Sequence, residues 1–239
     1  MLSVYFKQYE RGSLSIPEVN ALEHETGRKL LRAGLEERYG LRLPGEELEK
    51  QLAAAPDGKP YLKDHPAVFF NITHCEGFAA CAFYDAPVGC DAEKPGYYLD
   101  VLPRRILSQE ESRFFSLHKE NEAERDFLFC RFWTLKEAMV KCTGEGMDAD
   151  VRTVTFRFEG DGLPYGAEGE LLPGPVALYE PLAMSAPLQS AECQPRPLPL
   201  PVACADSRFH VRQFLMPAGH IVAVCAAGEI PEVEFCRNH

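Results

Sequence analysis

Two apolar segments lying far apart in the chain, Phe78-Ala79-Ala80-Cys81-Ala82-Phe83 and Ile221-Val222-Ala223-Val224-Cys225-Ala226, are built alike. Neither holds a polar residue, so each reads as a buried strand, and their likeness predicts two related subdomains in one chain. At 239 residues the chain has room for one large domain or two small ones. Shorter strand patterns surround the pair, at residues 4–6, 68–72, 88–93, 154–158 and 209–215. Helical signals are interleaved with them. Ser15-x-x-Glu18 has the capping-box form and opens a helix towards Tyr39, with Gly27 and Gly34 predicting a local break. Residues 46–55 read as a second short helix, followed by the turn-rich Pro56-Asp57-Gly58-Lys59-Pro60. Over residues 121–142, Leu128, Phe132, Leu135, Met139 and Cys142 recur with helical period until Gly144 and Gly146 stop them. The class is therefore α+β, divided into residues 1–87 and 88–239. Nine of the 19 prolines fall between Pro164 and Pro201, which reads as an irregular loop.

Composition excludes several classes. With 46% hydrophobic and 26% charged residues the chain is neither fibrous nor wholly disordered. A net charge of −11 has the wrong sign for a protein held on nucleic acid by phosphate neutralisation. The longest apolar run, residues 221–227, falls far short of the ~20 residues that cross a bilayer. No secretory signal is evident in Met1-Leu2-Ser3-Val4-Tyr5-Phe6-Lys7, and a cytoplasmic protein without a membrane partner is expected. Nine cysteines without a CxxC spacing argue against a disulfide framework or a zinc knuckle.

The chemistry concentrates in two places. In Gly89-Cys90-Asp91-Ala92-Glu93 the alternation of a strand sends Asp91 and Glu93 to one side. Trp133, Glu137 and Lys141, spaced four apart, share one face of the long helix. Were that face to meet the strand, three carboxylates would converge, and a hard divalent cation relieves their repulsion. Mg²⁺, held by oxygen and leaving positions for water and substrate phosphates, suits them best. Either motif alone is ordinary: a Glu-to-Lys pair at this spacing is commonly a helix-surface pair.

The order of motifs resembles the 4′-phosphopantetheinyl transferase superfamily, in its larger, Sfp-like type that activates carrier proteins of nonribosomal peptide and polyketide synthesis. Four blocks carry the resemblance: Gly58-Lys59-Pro60, Phe70-Asn71-Ile72-Thr73-His74-Cys75, Gly89-Cys90-Asp91-Ala92-Glu93, and Trp133 through Gly146. It implies a pseudo-dimer of two similar α/β subdomains with coenzyme A in the cleft between them. It also implies an enzyme, a holo-[carrier protein] synthase, that moves the phosphopantetheine arm of coenzyme A onto a serine of an apo acyl, peptidyl or aryl carrier protein and releases 3′,5′-ADP. By the same resemblance Asp91, Glu93 and Glu137 are the Mg²⁺ ligands and Lys141 holds the phosphates, while Arg28, Lys59, Pro60, Thr73 and His74 contact the coenzyme. Glu137 or a water beside the metal is the candidate base for the serine proton. Glu111 is another acid at a motif-like position, better read as a helix-start carboxylate, and Lys136, about 100° around the helix from Glu137, supports the site at most. The chain departs from its relatives where residues 15–25 are acidic rather than basic, and where Thr73 and Cys75 replace serines. A monomer is expected. Two rival readings are a metal-dependent nuclease, opposed by the net charge, and a non-catalytic module that binds coenzyme A or a carrier protein.

Overall fold

The computed structural model describes residues 1–10, 12–56, 58–96, 102–117, 121–146, 149–158, 196–197, 202–230 and 232–237. The chain begins with strand β1 (Leu2–Gln8), helix α1 (Ile16–Tyr39), helix α2 (Gly45–Gln51), the short strands β2 (Leu52–Ala54) and β3 (Pro60–Leu62), and the hairpin β4 (Phe69–Cys75) and β5 (Phe78–Tyr84). It continues through β6 (Val88–Glu93), helices α3 (Leu102–Ile106), α4 (Gln109–Ser116) and α5 (Glu122–Thr143), and strands β7 (Phe156–Phe158), β8 (Arg196–Pro197), β9 (Val202–Cys204), β10 (Phe209–Leu215), β11 (Ile221–Ala227) and β12 (Val233–Arg237). Most of the proline-rich stretch lies outside the described residues. Only Arg196–Pro197 of it is seen, pairing with β10.

Two four-stranded sheets form, in the orders β12-β1-β5-β4 and β6-β11-β10-β8. The same path is traced twice: a strand, a long helix, then an antiparallel hairpin whose second strand returns beside the first. In the first half this gives β1, α1, β4, β5, and in the second β6, α5, β10, β11. The two similar apolar segments are β5 and β11, the corresponding inner strands of the two sheets. From the far end of the chain, β12 pairs in parallel with β1 and extends the first sheet.

Between the sheets lies a core of Val4, Phe6, Phe78, Ala80 and Ala82 against Val88, Cys90, Ala92, Val222, Val224 and Ala226. Alanines at so many of these positions keep the layers close. On the outer face of the first sheet α1 packs Leu30, Leu31 and Leu35 onto Tyr5, Cys81 and Phe83. On the outer face of the second, α5 packs Phe132, Leu135 and Met139 onto Val211, Ile221 and Ala223.

The anticipated break in α1 is absent, because its glycines serve packing. A Cβ on Gly34 would stand 2.1 Å from the Phe83 ring and one on Gly27 2.8 Å from Ile72. Close burial against the sheet outweighs the roughly 1 kcal/mol that each glycine costs a helix. The capping box at Ser15 forms, with the backbone N–H of Ser15 donating to Glu18 Oε2 at 2.8 Å, and Gly40 at φ 67° ends the helix. The second helix stops earlier than its composition suggests. Residues 52–54 are drawn into antiparallel pairing with β3 around the turn at Gly58.

His220 is 2% exposed beside this central core, stacked on Phe78 at 5.1 Å. Its Nε2 donates to the carbonyl of Glu76 at 2.8 Å. Burial pushes the imidazole down to about 4, so the folded protein keeps it neutral where the unfolded chain, with an ordinary value near 6.5, takes up a proton. Its contribution is complete above pH 6.5 and is lost as pH falls towards 4, about 3 kcal/mol in all. Carboxyls held high by burial act in the opposite direction, so the measurement is a comparison. Denaturant melts at pH 7 and pH 4.5 should show the stability gap between wild type and His220→Gln narrowing by at least about 2 kcal/mol on acidification.

Candidate active site at the meeting of two sheet edges

Strands β4 and β6 are the edges at which the two sheets meet. Asn71 of β4 accepts the backbone N–H of Cys90 in β6 at 2.9 Å, a side chain standing in for a ladder partner. The alternation of β6 is as its sequence requires. Val88, Cys90 and Ala92 enter the core between the sheets, while Gly89, Asp91 and Glu93 look towards α5.

Gly89 sets the depth of that contact. A Cβ there would lie 1.9 Å from the carbonyl oxygen of Ala138 and 2.4 Å from the backbone nitrogen of Cys142. Both are helix backbone, with no side chain to swing aside. The helix therefore touches the strand directly and brings Lys141 over Asp91. Gly89→Ala should cost about 3 kcal/mol, the upper end of ordinary overpacking penalties, and should separate Lys141 from Asp91. Thermal melts and residual activity measure the two effects.

Asp91, 4% exposed, is the centre of the cluster. Its Oδ1 accepts from Lys141 Nζ at 2.6 Å and from Thr73 Oγ1 at 3.2 Å, and Lys141 Nζ also donates to Thr73 Oγ1 at 3.3 Å. Its Oδ2 is buried without a hydrogen-bond partner. Burial pushes Asp91 up and Lys141 draws it back, with a net rise. Burial, and next the charge of Asp91, push Glu93 up to about 7, while the Trp133 side chain hydrogen-bonds to it and Glu137 adds repulsion. Glu137 is raised by burial and then by Asp91. For Lys141, burial acts to release its proton, but the attraction of Asp91 prevails and the ammonium is held.

Glu93 and Glu137 both feel the charge of Asp91. Among the described residues, however, no three His, Cys, Asp or Glu side chains stand as a preformed metal cluster. Lys141 here neutralises one side of Asp91. The orphaned Oδ2 and two carboxyls whose charge is disfavoured are a donor set of hard oxygens, the kind that suits Mg²⁺. The donor chemistry of these residues suits such an ion, though they do not stand as a preformed cluster.

The coenzyme-contact candidates separate into two groups. A cavity of about 460 Å³ is lined by Arg28, Gly58, Pro60 and His74, together with His24, Glu49, Ile72 and residues 52–54. Arg28 Nε faces Glu49 Oε1 at 2.9 Å. Thr73, 3% exposed, instead belongs to the acid cluster as the bridge between Asp91 and Lys141. The Lys59 ammonium donates to the carbonyls of Val88 at 3.1 Å and Cys142 at 3.0 Å, tying the turn at Gly58 to β6 and to the end of α5.

Lys136 and Glu111 lie apart from all of these. They form an ion pair at 2.8 Å, each about 1% exposed. Glu111 also accepts the backbone N–H groups of Ser108 and Phe156, both at 2.7 Å, and Lys136 donates to the carbonyls of Val151 and Val154. Glu111 is thus the capping-box carboxylate of α4 and is no candidate for a base. Two residues that sequence patterns did not single out matter locally. Glu23 and Tyr9 stand behind His74, and the only sequence trace of Glu23 is its place in an acidic stretch of α1.

Residues 87–196, which carry Asp91, Glu93, Glu137 and Lys141, match the model of the 4′-phosphopantetheinyl transferase superfamily. Among curated relatives, a 4′-phosphopantetheinyl transferase of Bacillus subtilis is 30% identical over 149 residues, 59% of this chain and 63% of its own. The 4′-phosphopantetheinyl transferase Sfp of Bacillus subtilis strain 168 is 28% identical over 136 residues, 57% of this chain and 58% of its own. The L-aminoadipate-semialdehyde dehydrogenase-phosphopantetheinyl transferase of Eremothecium gossypii is 27% identical over 190 residues, 76% of this chain and 57% of its own. The chain thus spans about three fifths of the length of the first relatives it matches. The segment that carries the acids is similar to the superfamily, and the likeness is to its larger, Sfp-like type. Among the described residues no helix is long and apolar enough to cross a membrane, and the described cysteines are free.

Proposed function

We propose that the protein transfers the 4′-phosphopantetheine group of coenzyme A to a serine hydroxyl of an apo carrier protein and releases 3′,5′-ADP. The single observation that carries this reading is the buried contact of Asp91 with Lys141 and Thr73 at the seam of the two sheets, where Glu93 follows on the same strand side and Glu137 on the same helix face. Attack by an alcohol on a diphosphate needs the oxygens neutralised, the hydroxyl proton accepted and the leaving phosphate stabilised. Mg²⁺ held by Asp91, Glu93 and Glu137 would supply the charge that neutralises the diphosphate.

Lys141 gives the fixed positive charge on the helix side of the same site, and Thr73 fixes the distance between Lys141 and Asp91. Glu137, only partly buried and with proton affinity raised above the ordinary carboxyl, is the group to which we assign the serine proton. Arg28, Pro60 and His74 line the space for the nucleotide end of the coenzyme. Lys59 serves that space through the turn it anchors. The repeated strand–helix–hairpin path supports reading residues 1–87 and 88–239 as the two halves of a pseudo-dimer. Since both edges of the seam come from one polypeptide, a single chain is taken as the working unit.

The test is to incubate the protein with coenzyme A, Mg²⁺ and an apo peptidyl or acyl carrier protein, then to weigh the carrier. A gain of one phosphopantetheine, with 3′,5′-ADP appearing in equal amount, supports the assignment. An unchanged carrier mass with each class of carrier rejects it.

A further inference from the structure

His74 lines the cavity on the α1 side of the first sheet, opposite to the face on which its neighbour Thr73 meets Asp91. It is half exposed, yet its ring is not loose. Nδ1 faces Glu23 Oε2 at 3.1 Å, and Glu23, whose side chain is 10% exposed, is held in turn by the Tyr9 hydroxyl, which donates to Oε1 at 3.2 Å. Tyr9 also lies 3.3 Å from the carbonyl of Cys75. The three side chains run inward from the cavity wall as a chain: imidazole, carboxylate, phenol. Burial, and next the charge of Glu23, push the Tyr9 phenol up, so it remains a donor.

We propose that Glu23, backed by Tyr9, is a positioning residue that fixes the His74 ring so that its remaining nitrogen donates to the 3′-phosphate of a nucleotide bisphosphate in the cavity. This rests on the function proposed above and adds to it a residue from the acidic stretch of α1. The chemistry is direct. A buried carboxylate on one ring nitrogen leaves the other for a ligand. A buried acid so near an anion site needs a hydrogen-bond donor placed between them, and His74 occupies that position. Arg28, the arginine of the cavity, already faces Glu49 and cannot stand in unless that pair opens.

The experiment is calorimetric titration of the full chain with 3′,5′-ADP and, separately, with 5′-AMP, which lacks the 3′-phosphate. Glu23→Gln keeps the side-chain shape and can still accept from Nδ1, but removes the charge. It should weaken 3′,5′-ADP binding about tenfold, the value of part of one charge-assisted hydrogen bond, and leave 5′-AMP binding within twofold. In a His74→Ala background the same substitution should have no further effect on 3′,5′-ADP, since Glu23 acts through that ring. Tyr9→Phe, which leaves the ion pair in place, should give a smaller loss with the same preference. The inference is overturned if Glu23→Gln weakens both nucleotides equally, if it leaves 3′,5′-ADP binding unchanged, or if its effect adds in full to that of His74→Ala. Failure of the wild type to bind 3′,5′-ADP at all would remove the proposed function together with this inference. Normal wild-type binding with an indifferent Glu23→Gln would remove the inference alone.

Discussion

Glu137→Gln should lower kcat/KM for carrier modification by about 10²- to 10³-fold while leaving the melting profile close to that of the wild type. Glu137 sits one helical turn from Lys141 and faces Asp91, so its charge is felt at the centre of the cluster. Its amide has nearly the same shape and removes two functions together: a full negative charge towards a divalent ion, and the capacity to accept a proton. Partial burial means that little of the fold depends on it. The two readouts separate a chemical role from a structural one: loss of activity with an intact melt is predicted, whereas loss of both would make Glu137 a structural residue. Lys141→Met should behave differently. With the ammonium gone, Asp91 is left buried without its counter-charge, and stability as well as activity should fall.

Lys136→Met should destabilise the protein by 3–5 kcal/mol, the usual range, about, for removing one partner of a buried pair. Its neighbour Glu137 points to the chemistry, yet Lys136 lies about 100° around α5 from it, on another face, where it neutralises Glu111 and ties down the carbonyls of Val151 and Val154. Burial lowers its proton affinity, and Glu111 restores part of it. Substitution leaves the Glu111 carboxylate stranded among Ser108, Phe156 and the core beneath α4. Denaturant unfolding measures the loss. Removing both charges in Lys136→Met/Glu111→Gln should recover much of it, because the uncompensated charge, rather than the absent pair, is what costs most.

These two neighbours on one helix show what was legible in the sequence. The period of four linking Trp133, Glu137 and Lys141 and the period of two linking Asp91 and Glu93 are local rules, and the structure obeys both. The strand bounds of β5 and β6 and the near-complete extent of α5 follow from equally local patterns. Non-local contacts were not legible. Gly27 and Gly34 look like helix breakers until Phe83 and Ile72 are seen against them. Gly89 looks like a motif letter until the backbone of α5 lies on it. Lys59 is a turn lysine whose role depends on two carbonyls far away in sequence, and Glu23 is one acid in an acidic stretch until His74 arrives from β4. Residues 52–54 were drawn from the expected helix into a strand by pairing with β3, a tertiary demand that overrides local propensity.

The most direct test of the central claim is a titration with Mn²⁺ as a paramagnetic substitute for Mg²⁺, followed by electron paramagnetic resonance in the presence of 3′,5′-ADP. The shared-ion account predicts one Mn²⁺ site per chain in the wild type, weakened at least about tenfold in Glu137→Gln and in Asp91→Asn, since each loses one anionic ligand. Equal Mn²⁺ binding by the wild type and both variants, with both still folded, would contradict it.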